Sequence, residues 1–194
     1  MKINSIVLTI AVVATLASCN SKKETSEHNH ENGSQSAATQ QDTVKKSIPK
    51  EVHAQVGKAH ITMTYHAPAV RGRTIWGGLV PYGDVWVTGA HKATTFEINK
   101  DFIVGPKEIP AGKYALFTIP DRDKWTIIFN KNWDQHLTDE YNQQDDVVRI
   151  EVAPNQSENI QERLKYTIAA QNENTGNIDF RWEKIHVLIP FKIK

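Results

Sequence analysis

From Ala59 to His66 the chain alternates, with Ile61, Met63 and Tyr65 on one side and His60, Thr62, Thr64 and His66 on the other. A period of two places a segment in a half-buried strand, because successive strand side chains point to opposite faces. The pattern also covers Val52, Ala54 and Val56, and it returns at residues 94–99, 102–104, 113–119, 125–130, 147–152, 164–169, 178–182 and 185–193. Glycine, proline and Asx clusters separate most of these runs: Val104-Gly105-Pro106, Ile109-Pro110-Ala111-Gly112, Pro120-Asp121-Arg122-Asp123 and Asn174-Thr175-Gly176-Asn177. Many short strands at this spacing predict a mainly β fold, an antiparallel β-sandwich of jelly-roll-like build. Helix is confined to one or two short turns, expected at residues 132–141 and 156–163.

One stretch departs from the alternation. Between Arg71 and Thr95 lie five glycines and one proline, together with Trp76, Leu79, Val80, Tyr82, Val85 and Trp86. A regular element would not tolerate that glycine density, since each interior glycine costs roughly 0.5–1 kcal/mol. A solvated linker would not carry such large rings. The stretch therefore reads as a packed loop that buries its aromatics against the core and runs into a strand near Val85–Thr88.

The first residues read differently. Lys2 precedes the apolar run Ile6–Ala14, which is too short to span a bilayer when about 20 apolar residues are needed. Leu16-Ala17-Ser18-Cys19 looks like a bacterial lipobox, and Cys19 is the only cysteine in the chain. Residues 1–18 are thus expected to be a signal peptide and Cys19 an acylated N-terminus, palmitate among its chains, that anchors the protein to a membrane. Residues 20–47 are rich in Ser, Glu, Asn, Gln, Lys and Thr, a composition that cannot bury enough surface to order itself. They read as a flexible tether, whose His28 and His30 are solvated. Residues 48–194 suit one domain. With 23 Lys and Arg against 22 Asp and Glu, the chain has no electrostatic footprint for nucleic acid.

Arg71-Gly72-Arg73, Gly77-Gly78-Leu79-Val80-Pro81-Tyr82-Gly83, Val85-Trp86, Thr88-Gly89-Ala90, Ala93-Thr94, Pro110-Ala111-Gly112-Lys113-Tyr114 and Trp125-Thr126-Ile127-Ile128-Phe129-Asn130 form a long motif string. It resembles a bacterial envelope family known as domain of unknown function number twenty-nine eleven. The likeness covers most of the chain after about residue 50. Members are often secreted proteins or lipoproteins, so the resemblance implies export to the cell envelope, periplasmic or surface-exposed, and implies no activity. Where the family often has Asn, this chain has His91, so no role for His91 follows from it.

Several chemistries find no support. Ser157 is the one serine well inside the domain, and it lacks the glycine elbow that presents a nucleophile. No phosphate-cradling or dinucleotide fingerprint is present, and no cofactor is implied. His60 and His66 share a face, but six residues at ~3.3 Å separate them by about 20 Å, too far to share a metal ion. His136 and Glu140 would face one side only on a helical turn, and a third metal ligand is missing there.

Arg71 and Arg73 bracket Gly72 before the aromatic loop. A planar, permanently charged guanidinium beside aromatic rings suits a carboxylate, a phosphate or sugar hydroxyls. Arg71, Arg73, Tyr82, Asp84, Trp86 and His91 are therefore the candidate site for a glycan or small anionic ligand. The structural alternative is that an arginine pairs with Asp84 or with loop carbonyls and merely pins the loop. The sequence thus reads as an envelope lipoprotein with a binding or scaffolding domain. The enzymatic alternative is a glycan-acting or metal-assisted hydrolase using the Arg71–His91 loop and nearby carboxylates.

Overall fold

Ten strands run through residues 46–194, the part of the chain that the computed structural model describes. In chain order they are β1 (Ile48–Val56), β2 (Ala59–Ala67), β3 (Thr94–Ile98), β4 (Phe102–Val104), β5 (Lys107–Ile109), β6 (Gly112–Ile119), β7 (Trp125–Asn130), β8 (Asp146–Val152), β9 (Asn155–Ala170) and β10 (Thr175–Ile193). The expected signal peptide, Cys19 and the expected tether, up to residue 45, lie outside the described residues.

Two antiparallel sheets result, with strand orders β1-β2-β3-β6-β7-β8 and β5-β4-β10-β9. The fold is the β-sandwich that the alternation implied, and the larger sheet follows the chain as a meander. In β2, Ile61, Met63 and Tyr65 are buried while His60 is exposed. The layers meet on two ring clusters. Phe96 packs 5.4 Å from Phe102, 5.5 Å from Phe129 and 5.9 Å from Phe191. Elsewhere Trp125 lies 4.8 Å from Trp76 and 5.4 Å from Phe180, and Trp182 stacks on Trp86 at 5.7 Å.

The longest strand explains a break in the pattern. Ile178, Phe180 and Trp182 are buried at even positions, whereas Ile185, Val187, Ile189 and Phe191 are buried at odd ones. The sequence reads as two strands, but β10 is continuous and changes phase at Glu183. Glu183 adopts φ 55, with register shifts against β9 on either side of it. An extra bulge residue resets which face is inward without ending the pairing.

Three local expectations are corrected. Residues 156–163 are not a helical turn but part of β9, where pairing to β10 overrides a polar, aperiodic sequence. Residues 132–141 form turns, with Leu137 at φ 48, so His136 and Glu140 do not share a helix face; His136 Nδ1 instead lies 2.9 Å from Asp139 Oδ2. The one helical turn among the described residues is a short 3-10 turn, Gln143–Asp145, capped by the Asn142 side chain. Finally, no strand forms at residues 85–88. Trp86 makes a single bridge to Thr118, because Thr88 turns left-handed at φ 53.

Candidate functional site

The larger sheet has an outer face that is only half covered. Over β6 and β7, Ala115, Phe117 and Ile128 pack with Val87 and Ala93 into a small second apolar cluster. The covering segments are residues 85–93 and 131–142. They clasp each other through Ala93 N to the Gln135 carbonyl at 3.0 Å and Leu137 N to the His91 carbonyl at 2.6 Å. Left-handed φ values at Thr88 (53°), His91 (61°) and Leu137 (48°) allow this clasp. Such backbone persists in a non-glycine residue only where its surroundings over-determine it.

The surroundings at Thr88 are explicit. Its carbonyl accepts from the Thr94 hydroxyl at 3.0 Å and from the Tyr166 hydroxyl at 2.9 Å. Its own hydroxyl lies 3.1 Å from both the Trp86 carbonyl and the Thr118 hydroxyl. Thr88, Thr94 and Tyr166 are all buried, and burial raises the Tyr166 phenol well above its ordinary pKa, so it remains a donor. Tyr166→Phe is expected to cost about 1 kcal/mol in a urea melt, the usual net loss for one buried hydrogen bond, since Thr94 still serves the Thr88 carbonyl.

Where the clasp stops, a step drops to the uncovered strands and makes a groove of about 420 Å3. Thr64, His66 and Thr95 line it from β2 and β3, with the two threonine hydroxyls 2.7 Å apart. Trp133 and Lys92 line it from the clasp, Lys113 from β6 and Lys50 from β1. The Lys113 ammonium sits 4.3 Å from the Trp133 ring centroid, a cation–π contact that orients both. Lys92 reaches Asp134 at 3.0 Å, an exposed pair of small energetic weight.

His66 meets His91 edge-to-face at 5.3 Å. Burial first, then the charges of His91 and Lys92, lower its pKa from the ordinary 6.5. The unfolded chain therefore binds the proton first as pH falls below that value. The favourable contribution is complete above about pH 6.5 and is lost as pH falls towards the lower folded value. The melting temperature is expected to drop between pH 7 and pH 5, and less steeply in His66→Gln. Parallel curves for the two proteins would contradict this assignment.

The six candidate residues do not converge on one cavity. Arg73 donates to the carbonyls of Val70 (3.1 Å) and Ala69 (2.5 Å), so it pins the loop start. Its pKa is lowered by burial and then by neighbouring Arg71. Arg71 takes φ 50, and its backbone N–H donates to Glu162 Oε1 at 2.8 Å. Asp84 is exposed on the loop. Trp86 is packed among Trp76, Trp125, Trp182 and Phe180. Tyr82 lines a separate cleft of about 170 Å3, and His91 lies in the clasp beside the groove. Lys50, Thr64, Thr95, Lys113 and Trp133 line the groove without standing out in the sequence. The available signal was the polar side of the alternation at 64 and 66, and one tryptophan inside the polar run 131–136.

The molecule is thus an antiparallel β-sandwich whose larger sheet carries a loop-walled groove. The chain belongs to the family described as Protein of unknown function (DUF2911), which it matches over residues 47–191. A search of curated proteins and a search of solved structures each found no match.

Proposed function

We propose that this protein is a lipid-anchored binding domain of the bacterial cell envelope, and that its groove takes an acidic carbohydrate. The observation that carries the ligand class is the groove's lining. Trp133, 39% exposed, offers the indole surface that Lys113 leaves uncovered to the apolar side of a pyranose. Thr64, Thr95 and a neutral His66 offer hydroxyl and imidazole partners to sugar hydroxyls. Lys50, Lys92 and Lys113 outnumber Glu51 and Asp134 in the lining, which leaves an ammonium group to meet a carboxylate. The volume of about 420 Å3 lies in the range of small-ligand sites, about 300–1,000 Å3. Strain gathered at Thr88, His91 and Leu137 fits a wall held ready for a ligand. The lipobox-like Leu16–Cys19 and the lone cysteine support the anchor.

Calorimetric titration with trigalacturonate, against neutral maltotriose, tests the ligand class. Saturable binding of the uronate is expected, with Trp133→Ala about tenfold weaker, ~1.4 kcal/mol, at unchanged melting temperature. Binding should also strengthen as pH falls and His66 gains its proton. Equal affinity for both sugars, or no heat with either, contradicts the reading. The anchor is tested apart from it: labelled palmitate should enter the wild type and be absent from Cys19→Ser.

A further inference from the structure

The bulge in β10 shapes a second cleft that the groove does not use. Glu183, left-handed at φ 55, lines it together with Asp121, Arg122, Trp76, Tyr82 and Trp125. Bulges re-aim side chains, and strained non-glycine backbone gathers at ligand sites. Here the re-aimed group is a carboxylate beside three aromatic rings. Asp121 Oδ1 accepts from Arg122 N at 2.7 Å, and Glu183 Oε2 accepts from Lys184 N at 2.5 Å. The second oxygen of each carboxylate has no hydrogen bond among the described residues. Trp76, one of the lining rings, has a buried indole N–H without an acceptor among those residues. A buried donor in that state costs about 1–3 kcal/mol and asks for a reason.

The lining discriminates between ligand classes. An organic cation would want an open ring face, yet Trp125 is buried and the Arg122 guanidinium already lies 5.2 Å from the Tyr82 centroid. Arg122 also offsets one of the two carboxylates, which leaves little net charge to attract a cation. An anion would meet Asp121 and Glu183. A neutral sugar suits the mixed lining: its hydroxyls donate to the free carboxylate oxygens and accept from the Arg122 guanidinium and the Gln156 amide, while its ring edge meets the half-buried Trp76 and Tyr82. The volume of about 170 Å3 is the size of one ring, not of a chain.

We infer that this cleft is a binding site for a single neutral pyranose unit, separate from the groove and independent of the acidic-sugar reading. The test is tryptophan fluorescence titration of the protein with cellobiose, maltose and chitobiose up to tens of millimolar, with choline as the cationic probe. At least one disaccharide should give a saturable change, with Glu183→Gln and Asp121→Asn each weakening it about fivefold or more. Trp133→Ala, in the groove, should leave that affinity unchanged. No saturable change with any of the three sugars overturns the inference. So does saturation by choline alone, or unaltered affinity in both carboxylate variants.

Discussion

Trp182→Ala is expected to destabilise the protein by about 3–5 kcal/mol, the cost of deleting a fully buried aromatic side chain. Trp182 is 1% exposed and stacks on Trp86 at an interplanar angle of 19°. It also meets Trp76 edge-to-face at 5.7 Å. These two loop tryptophans rest on it from residues 71–93, so the cavity would open under a segment with no ladder of its own to hold it. For a domain of this length the melting temperature should fall by about 10 °C, at about 2–4 °C per kcal/mol. Amides of residues 76–86 should lose protection from hydrogen exchange more than those of β1 and β2. A loss below about 1 kcal/mol would mean that the cluster is not the loop's foundation.

Gly89→Ala is expected to follow, at about 2–3 kcal/mol, through overpacking. A Cβ there would come 2.8 Å from Thr94 Oγ1 and 3.2 Å from the His66 carbonyl oxygen. Thr94 Oγ1 is the donor that holds the Thr88 carbonyl, and His66 lines the groove. The substitution therefore pushes on the strained clasp and on the groove at once. A denaturant melt should report the stability loss, and trigalacturonate affinity should fall with it in the fraction that stays folded. Wild-type stability in this variant would show that the clasp yields without cost, contrary to the packing described.

How far the sequence foretold this can be judged from particular residues. Ile61, Met63 and Tyr65 on one face of β2 follow directly from alternation, because a strand pairs local period with burial. Trp76 and Trp86 were legible as packed despite five surrounding glycines, since rings of that size rarely remain solvated. The stretch 156–163 was not legible. It carries one apolar residue, Ile160, which is 57% exposed, and its pairing partner lies more than twenty residues downstream. Nor was the left-handed Thr88, since a β-branched residue is among the last expected at positive φ. It is held there by Tyr166, 78 residues away in sequence, and no local pattern encodes that contact.

The same division applies to the site. Arg71 and Arg73 stand out in the sequence as charges beside rings, yet the carbonyls of the packed loop need donors, and Arg73 supplies them. The groove instead draws Lys50, Thr64, Thr95, Lys113 and Trp133 from separate strands and the 131–134 turn. Their convergence depends on sheet order and on a clasp between two loops more than forty residues apart, so spacing along the chain carries no trace of it.

The most direct measurement is the backbone amide spectrum of the protein titrated with trigalacturonate. The account predicts saturable shifts centred on Thr64, His66, Thr95, Lys113 and the Trp133 indole, with β4, β5 and the far part of β10 unmoved. Shifts concentrated away from those residues, or none at millimolar ligand, would contradict it.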